Sequence, residues 1–175
     1  MIKRITLFLI VNFLGLAIGS LFTSDAVFSD WYLGLNKAPW TPPGWVFGAA
    51  WTTIMICFSV YLGFFFNSIH QKRKRLLFGL QWILNVGWSP LFFYFHAVGT
   101  ALLCISLLTI LIAYLMFNDW KEMKMKSLLL LPYLVWLIIA TSLNSYILFY
   151  NWCMKINLFW FRRDLRMEDN TALNA

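Results

Sequence analysis

Apolar residues in this chain come in long unbroken runs rather than in alternation. Five runs stand out, at residues 5–22, 45–66, 76–95, 98–117 and 128–150. Each holds 18 to 23 residues, and none contains an Asp, Glu, Lys or Arg. A helix rises about 1.5 Å per residue, so each run can cross a hydrocarbon layer about 30 Å thick. Inside lipid the backbone must satisfy its own polar groups, and a helix does so within one segment. The alternation of barrel strands is absent. The pattern predicts an all-α integral membrane protein, a bundle of five transmembrane helices. The basic pair Lys3 and Arg4 before the first run resembles a signal-peptide start. No convincing small-residue cleavage site follows, so the run reads as a retained helix.

Breaks within the runs are few. Pro90 lies inside the third and should kink it or free a carbonyl. Pro132 lies near the start of the fifth, where a missing N–H costs little. Gly15 and Gly19 form a GxxxG in the first, a pattern that suits close helix contact. These small residues, or the Ser106 face of the fourth run, are the candidates for a dimer interface.

The connection at residues 23–44 is the longest before the tail. Its end and the start of the second run read NKAPWTPPGWVFGAAW, with three prolines and three tryptophans in sixteen positions. Each proline biases the residue before it toward extended backbone, so APWTPPG cannot be helical. Tryptophan and tyrosine suit a membrane interface, with an apolar ring and one polar handle. An anchor belt accounts for part of this. It does not require three prolines around one tryptophan, and the segment reads as a stiff lid over the mouth of the bundle.

Charge then sets orientation. Nine basic residues fall on one side: Lys3, Arg4, Lys72, Arg73, Lys74, Arg75, Lys121, Lys124 and Lys126. The other side carries only Lys37 before the tail. The positive-inside rule places the N-terminus in the cytoplasm and the lid on the far side. The chain is 61% hydrophobic and 12% charged, against about 25% charged in soluble domains. Its formal charge of +7 sits at the ends of apolar runs. There it serves topology and lipid headgroups rather than nucleic acid. Cys57, Cys104 and Cys153 lie far apart with no CxxC pair, which supports neither a disulfide framework nor a metal site.

Several residues are too polar or too amphipathic for their depth. Trp51, Trp88 and Trp136 lie within runs, and each must bury an indole N–H. Gln81, Asn85 and Ser89 recur every four residues and share a helix face; so do Trp136, Ala140, Asn144 and Ile147. Amides in lipid should point inward. They either tie helices together or line a cavity for a flat hydrophobic ligand. No buried carboxylate, acid/base pair or Ser-His-Asp set is present, which argues against hydrolysis and proton relay. His70 adjoins the basic loop and His96 the turn between the third and fourth runs; both read as solvated rather than as metal or haem ligands.

The stretches WYLGLNKAPWTPPGWVFGAAWT, LNVGWSPLFF and LLPYLVWLIIATSLNSYILFYN together resemble the TspO/MBR family of tryptophan-rich sensory and translocator proteins. The likeness runs from about residue 2 to 151, so residues 1–153 form one membrane domain. It implies a five-helix bundle, commonly a homodimer, in a bacterial cell membrane. It implies a tetrapyrrole ligand, protoporphyrin IX or haem, with no required cofactor and no metal site. Light-dependent porphyrin breakdown and transport of a lipophile are the alternative activities. The implied ligand-binding residues are Tyr32, Pro42, Pro43, Trp51, Met55, Asn85, Trp88, Trp136, Ala140 and Asn144. Trp51 and Trp136 would carry any photo-oxidation. The loose sterol pattern through Leu148, Tyr150 and Lys155 is too weak to use.

Residues 154–175, MKINLFWFRRDLRMEDNTALNA, are not a membrane pattern. They resemble the start of the DNA photolyase/cryptochrome family, but one strand of a parallel sheet has no partners and cannot fold alone. The tail is expected to be an unfolded or misfused fragment without DNA-repair activity. Sequencing the locus should find a stop near codon 153 and a separate frame starting near Met154. A continuous frame with a full downstream domain would overturn that expectation.

Overall fold

The computed structural model describes residues 1–66 and 71–172, for 71, 121, 122 and 152–172 the backbone alone. His70, and the side chains behind the reading of residues 154–175, lie outside the described residues.

Five long helices occupy the five apolar runs: α1 Ile2–Thr23, α2 Gly44–Phe65, α3 Gln71–Ser89, α4 Val98–Asn118 and α5 Leu131–Ala172. The described residues hold five spans long and apolar enough to cross a membrane. The chain is a multi-pass membrane protein. Helices overrun the apolar boundaries: α1 already includes Lys3 and Arg4, and α3 includes Lys72 to Arg75. Lipid thickness sets where the charges sit, whereas hydrogen bonding sets where a helix ends.

The helices close into a ring. α1 packs between α2 and α3, α3 packs on α4, α4 on α5, and α5 returns to α2. The core gathers Ile54, Met55, Phe58, Tyr61 and Phe65 of α2, Ile105, Leu108 and Ile112 of α4, and Tyr133, Trp136 and Leu137 of α5. Outward side chains such as Leu14, Leu103, Ile110 and Ile138 remain exposed for lipid.

Pro90 acts as expected of a proline in mid-run. α3 passes into a π-type turn, Pro90–Tyr94, in which Phe95 N–H reaches back to Pro90 C=O at 3.0 Å. His96 then turns the chain at φ 51°, a left-handed conformation that histidine tolerates better than most residues. Pro132 is the second residue of α5.

Gly15 and Gly19 are buried, but they serve the bundle itself. A Cβ on Gly15 would sit 2.9 Å from Trp82 Nε1 and 3.2 Å from Val86 Cγ2, and one on Gly19 3.3 Å from Ser89 Oγ. Their face packs on α3, which corrects the expectation that they are available to a second copy. Lower down, Asn12 Nδ2 donates to Ser59 Oγ at 2.9 Å, joining α1 to α2.

At the basic end two cations cap the C-terminus of α2. Arg4 donates to Phe66 C=O at 3.0 Å, and the buried Lys74 ammonium donates to Phe65 C=O at 2.9 Å. The last carbonyls of a helix lack intrahelical partners and carry partial negative charge, so both cations are well placed. Arg73 meets the Tyr114 hydroxyl, tying α3 to α4.

A methyl group at Gly63 would collide with Ile5 Cγ1 of α1. Gly63→Ala is therefore expected to destabilise the detergent-solubilised protein by about 1–3 kcal/mol. Ile5→Ala in the same chain should recover part of the loss. Thermal unfolding of the single and double variants checks this; equal midpoints for wild type and Gly63→Ala would refute the close α1–α2 approach.

Candidate functional site

The lid begins as a capped turn. Ser29 Oγ accepts the Tyr32 N–H at 3.3 Å and starts the single helical turn Asp30–Leu33, with Asp30 at its positive end. This turn was not anticipated from the sequence, although Ser29-Asp30 is a helix-start signal. It sets two rings onto the end of α3. Trp31 lies edge-on to Phe92 at 5.6 Å and stacks on His96 at 4.0 Å. Tyr32 packs on Phe93 at 5.6 Å, and Lys37 Nζ lies 4.1 Å from the centre of the Tyr32 ring. Burial pushes the Tyr32 phenol pKa up, so it keeps its proton.

The chain then runs non-helically to α2, as the prolines require. Asn151 of α5 clasps it. Asn36 N–H donates to Asn151 Oδ1 at 3.0 Å, and Asn151 Nδ2 donates to Asn36 C=O at 3.3 Å. Trp40 Nε1 donates to Ser142 Oγ at 3.2 Å, with its ring edge-on to Tyr146 at 5.3 Å. Pro42 is half-buried and Pro43 exposed; Pro43 forms the N-cap of α2. The lid is thus fastened at one end to the α3–α4 corner and at the other to α5.

Below it, Trp136 of α5 is only 6% exposed and meets Phe47 of α2 edge-on at 5.1 Å. Trp51 is half-buried, edge-on to Tyr133 at 6.1 Å. Met55, at 1% exposed, joins the same cluster, with Ala140 and Trp88 packed against it. Trp88 also stacks on Phe92 at 5.4 Å, so it bridges this cluster and the one under Tyr32.

The amides work between helices. Gln81 Nε2 donates to the Tyr133 hydroxyl at 2.9 Å, and that hydroxyl donates to Asn85 Oδ1 at 2.8 Å. Asn144 Nδ2 donates to Val98 C=O at 3.0 Å, tying α5 to α4. Gln81 Oε1, Trp88 Nε1 and Asn144 Oδ1 are buried without a hydrogen-bond partner.

The structure therefore brings Trp51, Met55, Asn85, Trp88, Trp136 and Ala140 to one interior. Tyr32 enters through the neighbouring cluster, Asn144 faces the start of α4, and Pro42 and Pro43 shape the end of the lid. Phe47, Tyr133, Phe92 and Phe93 were missed. Tyr133 stands three residues before Trp136 and Phe47 four before Trp51, so helical spacing contained both signals. The interior offers ring faces and neutral donors and acceptors, which suits a flat, largely apolar molecule.

The sequence matches the TspO/MBR family over residues 7–150. It is 36% identical over 145 residues to the tryptophan-rich protein TspO of Archaeoglobus fulgidus, covering 82% of this chain and 93% of that one. The corresponding protein of Chlorobaculum tepidum is 37% identical over 134 residues, 74% of this chain and 84% of its own. The human translocator protein is 33% identical over 119 residues, 65% of this chain and 70% of its own.

Tyr133→Phe removes the hydroxyl that joins Gln81 and Asn85 and leaves both with less than they had. Stranding a buried polar group costs about 1–3 kcal/mol. The variant is expected to unfold at lower temperature in detergent by a corresponding amount, and Gln81→Leu added to it should cost little more. Additive losses from the two changes would show that the groups act separately.

Proposed function

The chain belongs to the TspO/MBR family, and on that footing we propose that it is a membrane receptor and sensor for tetrapyrroles, protoporphyrin IX or haem. The ligand lies in the aromatic interior beneath the lid. One observation carries this reading. Deep tryptophans from three helices, Trp51, Trp88 and Trp136, meet in or against a single cluster whose neighbouring polar atoms Gln81 Oε1 and Trp88 Nε1 have no partner.

The physical case follows from the ring chemistry. Each indole face stacked on a macrocycle adds about 0.5–1.5 kcal/mol beyond its share of apolar burial. Apolar contact contributes about 25 cal/mol per Å². The unpartnered N–H of Trp88 and carbonyl of Gln81 supply a donor and an acceptor for pyrrole nitrogens or ring substituents. Lys37, the one basic residue between α1 and α2, stands near the lid for an acidic side arm. Phe47 covers Trp136, so binding requires that ring or the lid to yield. The N-terminus faces the cytoplasm of a bacterial cell, with the lid outside, because the basic residues crowd the opposite end. Two relatives carry names that fit a signalling or carrying role, the tryptophan-rich sensory protein of Cereibacter sphaeroides and the human translocator protein.

Protoporphyrin IX titrated into the purified protein should quench tryptophan fluorescence saturably. Trp51→Phe combined with Trp136→Phe should weaken the dissociation constant about tenfold, the effect of losing two stacked indoles. Quenching that never saturates would sink the receptor reading. Under illumination, loss of the Soret band with formation of product in wild type alone would assign porphyrin breakdown instead.

A further inference from the structure

The imidazole of His96 stacks on the indole of Trp31 at 4.0 Å and 20°. This contact joins the lid to the corner between α3 and α4. We propose that it is a pH-sensitive latch: a proton taken up by the exposed imidazole turns a neutral ring stack into a cation on an indole face, and the lid is held more firmly over the interior. The inference concerns access to the interior and does not depend on which molecule lies there.

The backbone singles out the position. His96 holds φ at 51°, a left-handed conformation that glycine adopts without strain and that asparagine tolerates as well as histidine does. A turn alone would be served by either residue; what histidine adds is the ring. The chain fixes where that ring goes. Phe95 N–H donates to Pro90 C=O at 3.0 Å and Ala97 N–H to Leu91 C=O at 2.9 Å, so both neighbours of His96 are tied to the π-type turn. On the lid, Leu33 N–H donates to Ser29 C=O at 2.9 Å, and Trp31 leans on Phe92 at 5.6 Å. Both rings of the stack are presented by hydrogen-bonded turns rather than by loose chain.

The charges around the stack leave the sign clear. Among the described residues, the side chain of His96 makes no hydrogen bond or ion pair besides its contact with Trp31. The lid carries Asp25 and Asp30, both exposed, and Lys37, which lies over the Tyr32 ring. No Asp, Glu, Lys or Arg occurs at residues 90–118 or 131–151; the next on α5 is Lys155, whose side chain lies outside the described residues. Tyr32 and Tyr94 are the nearby phenols. Histidine changes charge between about pH 5 and 8, a range in which carboxylates stay ionised and phenols stay neutral. The positive end of α4 disfavours a cation at His96, but it does so whether the lid is seated or away. The indole face distinguishes the two positions, and Asp30 rides on the same turn with the sign that reinforces it. Protonation therefore favours the seated lid, a gain present at about pH 5 and lost by about pH 8. On the orientation proposed above, this end of the protein meets the medium rather than the cytoplasm.

The test is amide hydrogen exchange of the full-length, ligand-free protein in detergent at the two ends of that pH range, corrected for intrinsic rates. The amides of Tyr32, Leu33 and Gly34, bonded to Ser29 and Asp30, should be protected about two- to fivefold more at the acid end, the factor expected of an exposed cation on an indole. His96→Asn keeps the left-handed backbone and removes the imidazole; Trp31→Leu keeps the imidazole and removes the indole. Each should abolish the pH ratio, and Asp30→Asn should keep most of it. A ratio that persists in His96→Asn, or that appears equally at the basic end, as at the Phe66 amide bonded to Leu62 C=O, would overturn the latch. Release of bound protoporphyrin IX should slow by the same factor at the acid end in wild type but not in His96→Asn. Saturable porphyrin binding without a pH ratio in lid exchange would overturn the latch and leave the receptor reading standing. A ratio in lid exchange without saturable binding would do the reverse.

Discussion

Lipid offers no hydrogen bonds, so each polar atom carried into the membrane must find its partner within the protein. The backbone meets that demand by being helical. The side chains meet it between helices, and the Tyr133 hydroxyl is the central case. It accepts from Gln81 and donates to Asn85, both on α3, while its own ring packs against Trp51 and Phe58. Because the two amides stand four residues apart, one phenol can serve both only at one rotation and one height of α3 relative to α5. Apolar packing alone tolerates sliding and turning of helices, since lipid tails and leucines are chemically alike. The Asn12–Ser59 and Asn144–Val98 bonds fix α1 on α2 and α5 on α4 in the same way. Register in this bundle is set by a handful of polar contacts, and the aromatic interior inherits its shape from them.

The lid shows the complementary principle, in which stiffness replaces hydrogen-bond density. Its prolines limit the backbone in advance, so few attachments suffice to hold it. Those attachments are of two kinds. The Trp31–His96 stack and the Trp31–Phe92 contact are made by faces and edges of rings, which can slide. The Asn36–Asn151 pair is directional, with a donor and an acceptor on each side, and either holds or breaks. The Trp31 end of the lid is therefore held by ring contacts, and the Asn36–Trp40 stretch by hydrogen bonds to α5.

Much of this architecture was legible in the order of residues. The five helices were, because runs without a single charge admit one solution in a bilayer. The turn at Pro90 was, because a proline ring cannot continue a regular helix without displacing a carbonyl. The deep tryptophans were expected to face inward, and Trp136 does. What escaped was anything depending on which helix lies beside which. Gly15 and Gly19 look the same in sequence whether they receive a neighbour within the chain or from another copy; only the seat of Trp82 and Ser89 against them decides it. Asn85 could have faced a hollow or a phenol, and its choice depends on Tyr133, 48 residues away. Phe47 escaped for a plainer reason: it is one of 17 phenylalanines, and its spacing from Trp51 places it on that face of α2 without saying that it meets Trp136 of α5.

The widened turn at Pro90–Tyr94 has an effect on comparison with relatives. A π-type turn holds one residue more than the α-turn it replaces. It lets the adjacent Phe92 and Phe93 both be buried, and it advances every later residue by one position relative to a straight helix. Any homologue that lacks the proline and keeps an ordinary helix here would have to be aligned with a single-residue gap just after Ser89. Without that gap, the aromatic positions of the two proteins would appear to disagree where in space they coincide.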